Sequence, residues 1–272
     1  MKFRVLIFSL LAGSCALQAA FDYPAYSARN AALSNSYLAA TGIHDGFMIN
    51  PALSSQTGAF YASLNYSQLY NIKELQYANG LAVLPLAAFG LGVGVENFGG
   101  ALYSENKITI NSSKLFYNNS LAVGVSLGVY HLSAEGYGSS STVGLSIGIL
   151  YQVTPNLHIA GVVENFNQPS INGFGEELPQ RIQAGLQFEP VSHLRTHLKI
   201  QKDSYFSPEV LLGVEYRLFT NFEVFSGYST LVTSPSFGFS LNAAKVEASY
   251  AIQHHFDLGT THFIGIAFNG GK

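Results

Sequence analysis

The sequence predicts an all-β chain, an antiparallel transmembrane β-barrel of about 14 strands with a short N-terminal plug containing small helical turns, and three observations carry that prediction. The first is a repeated word. Val123-Gly-Val-Ser-Leu-Gly-Val129 and Val143-Gly-Leu-Ser-Ile-Gly-Ile149 put a branched aliphatic at every odd position and Gly or Ser at every even one. Phe89-Gly-Leu-Gly-Val-Gly-Val95 repeats the scheme. A period of two is used only by an extended strand, whose side chains alternate between faces. One face is greasy and the other is small, whereas the inner face of a soluble sandwich needs bulk.

The second observation is an export leader without any helical span. Met1-Lys-Phe-Arg4 is basic, an apolar run follows to about Leu17, and Gln18-Ala19-Ala20 ends it. That is the layout of a cleaved signal peptide over residues 1–20, too short to cross a membrane as a helix. Lipidation at Cys15 is the rival reading, although Ala12-Gly-Ser-Cys15 lacks the preferred Leu three positions before the cysteine. Cys15 is the sole cysteine, so a cleaved chain carries no thiol or disulfide. No later stretch holds 18 uninterrupted apolar residues.

The third is composition: charged residues are 11% of the chain, against 16 Tyr and 20 Phe. Without Lys2 and Arg4 the 13 basic residues fall to 11 against 16 acidic ones, which argues against nucleic acid as a partner. An exported, weakly charged, aromatic-rich chain enters a membrane by strands. In hydrocarbon every backbone N–H and C=O needs a partner, and only a closed barrel gives a sheet without edges. Location in the bacterial outer membrane, against its lipid, is the expectation.

In order along the chain, residues 21–56 do not alternate and form the expected plug. Ala28–Ala40 is rich in small residues, and Asn50-Pro51-Ala52-Leu53 reads as a helix start with an Asn cap and Pro in the first turn. A disordered tether is the alternative, disfavoured because small apolar residues dominate and charge is sparse. The barrel is expected over 57–268. Its clearest outward sets are Phe89/Leu91/Val93/Val95, Leu121/Val123/Val125/Leu127/Val129, Val143/Leu145/Ile147/Ile149, Ile182/Ala184/Leu186/Phe188, Val210/Leu212/Val214/Tyr216, Phe237/Phe239/Leu241 and Val246/Ala248/Tyr250/Ile252. Tight periplasmic turns are expected at Leu84-Pro85, Asn118-Asn119, Thr154-Pro155-Asn156, Glu189-Pro190, Thr220-Asn221 and Asn242-Ala243. Longer outer connections fall near 71–73, 99–106, 133–141, 167–178, 203–207, 230–234 and 254–260.

The same alternation sends an ionic set inward: His158, Glu164, Arg181, Arg195, His197, Lys199, Glu215, Arg217, Glu223, Lys245 and Glu247. Facing lipid at mid-depth, each Arg or Lys would cost about 2–4 kcal/mol, so the lumen is their place. A selective constriction is one reading. Neutralising pairs that brace the interior are the other, favoured by the mixed signs.

Several motifs fail on context. Gly124-Val-Ser-Leu-Gly128 and Gly144-Leu-Ser-Ile-Gly148 match G-x-S-x-G, yet each Ser sits mid-strand rather than on a strand-to-helix elbow. Gly90, Gly92 and Gly94 precede no helix and are better suited to leaving lumenal space or admitting a plug side chain. His254, His255, His262 and Asp257 bracket a loop. No catalytic residue, metal site or cofactor is expected.

Ala28-Arg-Asn-Ala-Ala-Leu-Ser34, Asn50-Pro-Ala-Leu53, Val163-Glu-Asn-Phe166, Leu178-Pro-Gln-Arg181, Leu212-Gly-Val-Glu-Tyr216, Ser249-Tyr-Ala251 and Leu258-Gly-Thr-Thr-His262 occur as an ordered set. As such the chain resembles the PorV/PorQ-type proteins within the FadL-like outer-membrane barrels. The resemblance implies a fourteen-stranded barrel around an N-terminal plug, with Arg29, Asn50, Pro51 and Ala52 as plug positions. It also implies either movement of hydrophobic small molecules, as in FadL-like transporters, or a non-conducting shuttle or attachment role with secretion-system proteins of type IX, as in PorV and PorQ.

Overall fold

The computed structural model describes residues 20–22, 25–86, 89–171, 176–204, 206–230 and 234–271. The leader, except for Ala20, lies outside the described residues, as do Gly173 and Gly175 of the 167–178 connection.

Alternation builds the strands β1 (Tyr61–Gln68), β2 (Gln76–Pro85), β3 (Gly90–Gly99), β4 (Tyr103–Phe116), β5 (Leu121–Ala134), β6 (Gly138–Thr154) and β7 (Leu157–Glu164). A two-stranded hairpin of β8 (Ser170–Ile171) and β9 (Glu176–Glu177) interrupts them. The wall resumes with β10 (Arg181–Val191), β11 (Leu194–Asp203), β12 (Glu209–Phe219), β13 (Phe222–Ser229), β14 (Ser234–Ala243), β15 (Val246–His255) and β16 (Gly259–Asn269). Fourteen strands, all but β8 and β9, close into one antiparallel barrel in which β1 pairs with β16, from Tyr61↔Asn269 to Gln68↔His262.

Parity assigns the faces as expected. In β12, Glu209, Leu211, Gly213, Glu215 and Arg217 turn inward, while Val210, Leu212, Val214, Tyr216 and Leu218 turn outward. The repeated words lie side by side, with Gly124↔Gly148, Ser126↔Ser146 and Gly128↔Gly144 directly paired. Their aliphatics Val125, Leu127, Val143 and Ile147 are exposed, the reverse of a soluble core.

Several boundaries differ from expectation. Glu189-Pro190 is not a turn: β10 runs on to Val191, and a register shift between Phe188 and Val191 accommodates the proline, which has no N–H for the ladder. The turn itself is Ser192-His193. Likewise β14 continues through Asn242 and Ala243, so the reversal comes at Ala244-Lys245 with Ala244 at φ 53. The connections expected at 99–106 and 133–141 shrink to Gly100–Leu102 and Glu135–Tyr137, because β4, β5 and β6 extend well beyond their aliphatic stretches on polar residues. At the Tyr117–Ser120 turn, Tyr117, Asn118 and Asn119 all adopt positive φ, a conformation Asn tolerates better than most residues.

Candidate functional site

The N-terminal segment threads the lumen from the end with the β5–β6 connection, expected to be the outer one, to the end with the β4–β5 turn, expected to be periplasmic. Phe21 sits beside Glu105 and Tyr130 near the outer rim. Asp22 pairs with Arg181, the Tyr26 carbonyl accepts from Asn79, and Ser34 meets Ser236 at 2.6 Å. Lower down, Asn50 Nδ2 donates to Leu38 O and Ile149 O, and Ser54 meets Ser113 at 2.8 Å. Helix α1 (Ala28–Ala32) is capped by the Ser27 hydroxyl, which accepts from Asn30 N–H. The 3-10 turn Pro51–Gln56 is capped by Asn50 with Pro at its first position, as expected.

Glycines of the wall make room for this backbone. A Cβ on Gly90 would lie 2.1 Å from Ser54 O, on Gly124 2.4 Å from Pro51 C, and on Gly227 2.5 Å from Leu33 C. On Gly92 it would meet Phe47, and on Gly94 the Met48 sulfur. The alternation that gave the wall a greasy exterior thus gave it a glycine cradle inside.

Arg29 is the electrostatic centre of the lower lumen. Nη1 contacts Glu215 Oε2 at 3.1 Å, and Nη2 contacts Glu223 Oε2 at 2.8 Å and Glu247 Oε1 at 3.5 Å. The guanidinium also lies 4.6 Å from the centroid of the Phe225 ring. Burial opposes its charge, but the three carboxylates outweigh burial and push its pKa up, so it stays a cation. Arg195 approaches Glu215 and Glu223 at 3.8 and 3.9 Å, Arg217 reaches Glu223 at 2.9 Å, and His197 Nε2 lies 2.6 Å from Glu215. Three arginines face three glutamates, which supports bracing over selection by sign. Beside them a polar cavity of about 30 Å³ between Asp45, Tyr61, Asn65 and Glu247 has room for water and little more.

A second charged group lies nearer the outer end. Arg181 pairs with Asp22 at 2.6 Å, Asp203 at 3.0 Å and Glu164 at 3.7 Å, and Lys107 meets Glu96 at 3.4 Å. Lys199 is buried on the inner face opposite Gly185. Lys245 is the exception among the expected lumenal charges. It occupies the β14–β15 turn, is exposed, and donates to Gly270 O, because β14 ends two residues before it and β15 begins one residue after it. Sequence reading missed Glu96, Glu105, Lys107, Asp203 and Glu209, although parity was the available signal: Glu96 continues the inward series Gly90, Gly92, Gly94.

Between β6 and β7 the strand ladder is short, although beyond its last rung the Phe166 N–H still donates to Leu145 O at 2.9 Å. Their last pair is Ile147↔Val163; β7 stops at Glu164 while β6 runs on to Gly138. Asn165, at φ 50, turns the chain inward. Asn167 then extends the pairing with its side chain: its Nδ2 donates to Val143 O, and its Oδ1 accepts from Leu145 N, both at 2.8 Å. Val143 and Leu145 point outward, so this notch lies level with the apolar band. Behind it Phe21, Tyr130, Leu132, Ile171 and Leu178 form a buried apolar cluster. Two other glycines of the repeated words serve this region, since a Cβ on Gly128 or Gly144 would collide with the Tyr130 ring, and on Gly144 also with Asn165 Oδ1.

No family model matches the chain, and no curated protein matches it in sequence. Solved structures do. The toluene transporter TbuX of Ralstonia pickettii superposes with a TM-score of 0.68 at 13% identity, over 92% of this chain and 99% of that one. The toluene transporter TodX of Pseudomonas putida does so with a TM-score of 0.67 at 11% identity, over 93% and 100%. At such identity the likeness is one of fold: a plugged barrel of this architecture.

Proposed function

We propose that this chain is a bacterial outer-membrane protein that moves small hydrophobic molecules through the side of its barrel. The carrying observation is the notch between β6 and β7, level with lipid-facing Val143 and Leu145 and backed by an apolar cluster, above a lumen closed by the plug and the Arg29 glutamates. An apolar solute entering from outside meets apolar side chains at the notch and ionic ones below it. Burying apolar area is favourable and desolvating paired charges is not, so the exit is sideways into the membrane. That the structurally similar TbuX and TodX are toluene transporters supports that substrate class. No catalytic role is assigned.

The test is flux through purified protein in liposomes. Toluene or a fluorescent fatty acid should equilibrate faster than in empty vesicles, while a sugar of similar size does not. Equal rates for both solutes, or none for either, would remove the proposal. The sealed lower lumen favours a second reading, a non-conducting PorV/PorQ-type accessory of a secretion system. Crosslinking in the parent cells separates the two: recovery of secretion proteins together with absent flux would select the accessory role.

A further inference from the structure

We infer that the mature chain begins at Phe21 and that its new α-ammonium is held by Glu105 inside the outer end of the barrel. Two independent observations meet at this residue. The Phe21 nitrogen lies 2.6 Å from Glu105 Oε2, and Glu105 is 4% exposed. Its other oxygen accepts from the Tyr103 hydroxyl at 2.6 Å. A buried carboxylate is stabilised far more by a full positive charge at hydrogen-bond distance than by a neutral amide, and an ammonium at the same point supplies both charge and N–H donors.

The second observation is backbone conformation. Phe21 has φ 64, a region that a bulky aromatic seldom enters because the preceding carbonyl crowds its side chain. That torsion exists only while Ala20 is attached. Hydrolysis of the Ala20–Phe21 bond by an exported-protein leader peptidase adds one water: the hydroxyl goes to the Ala20 carbonyl, and the proton goes to the Phe21 nitrogen, which takes up a second from solvent. The crowding carbonyl then departs. Phe21 keeps its other contacts, with its ring edge-on to Tyr130 at 5.0 Å and the adjacent Asp22 paired with Arg181. Ala20, a small residue at the end of the leader, suits the site of cleavage.

The consequence is that the upper end of the plug is tied down by a charge that processing itself creates. This inference rests on export and not on transport, so it stands or falls apart from the flux test. The full chain, with its own leader, is expressed in a Gram-negative host, purified from outer membranes, and its intact mass and first residue determined. A chain starting at Phe21 is expected; one starting at Ala20, or at an acylated Cys15, overturns the inference. Reductive methylation of the α-amine then reads the pairing. Folded protein should label at least about tenfold more slowly than the same protein in urea, the change that one pKa unit of stabilised ammonium produces. Glu105→Gln should recover most of the lost reactivity. Equal rates for folded and unfolded wild type, or an unchanged rate in Glu105→Gln, refute the pair, and the wild-type comparison decides even where the variant does not assemble.

Discussion

The lower lumen and the notch are closed by different forces. Below, backbone meets backbone through glycine cradles, and Arg29 binds three strands to the plug by charge. At the notch, one backbone bond from Phe166 to Leu145, the side chain of Asn167 and a five-residue apolar cluster stand in for a full ladder. Paired buried charges break at high cost when one partner goes, whereas a side-chain cap and a few apolar contacts open at low cost. The difference teaches which contacts would have to break for each region to open: charge pairs and close-packed backbone below, a few hydrogen bonds and apolar contacts at the side wall.

Five substitutions test that contrast, beginning with the most damaging. Arg29→Met leaves Glu215, Glu223 and Glu247 without their shared cation, and should cost about 3–5 kcal/mol in urea unfolding followed by heat-modifiable gel mobility. It should also raise ion conductance in planar bilayers. A neutral effect would mean that the lower seal does not depend on charge. Ile147→Arg places a cation in lipid and should cost about 2–4 kcal/mol, with Ser126→Arg, on the inner face, used as the matched control for assembly. Equal losses would show the faces to be equivalent.

Gly148→Val and Gly144→Val set the two regions against each other within one repeated word. The first drives a side chain into Asn50, the second into Asn165 and Tyr130. Each should destabilise by about 1–3 kcal/mol, but only Gly144→Val should change apolar flux. The mildest is Asn167→Ala, which removes two exposed hydrogen bonds that water can replace, together about 0.5 kcal/mol. It should leave unfolding nearly intact while speeding toluene entry; unchanged entry would separate the notch from the route.

Strand placement and facing were legible because a period of two needs only local sequence, as in Val123–Val129 and Val210–Tyr216. Asn50-Pro51 was legible for the same reason, since a cap acts over two or three residues. Pairing was not. Arg29 meets carboxylates 186 to 218 residues away, and nothing local to Ala28–Ser34 selects them. The notch escaped notice because it depends on where β7 stops relative to β6, a relation between strands and not a pattern within either. Lys245 was misplaced for the opposite reason: local turn propensity of Asn242-Ala243 lost to two more rungs of ladder, Asn242↔Glu247 and Ala243↔Val246.

The glycine cradle also sets an order of assembly. Every strand that grips the plug comes after it in the chain, and the cradle involves β3, β5 and β6 on one side and β10 and β12 to β14 on the other. A segment hemmed in from both sides cannot slip through a finished cylinder of this bore, so the hoop must shut around it. The pair of wall strands farthest apart in the chain is β1 with β16, whose joining turns the sheet into a hoop.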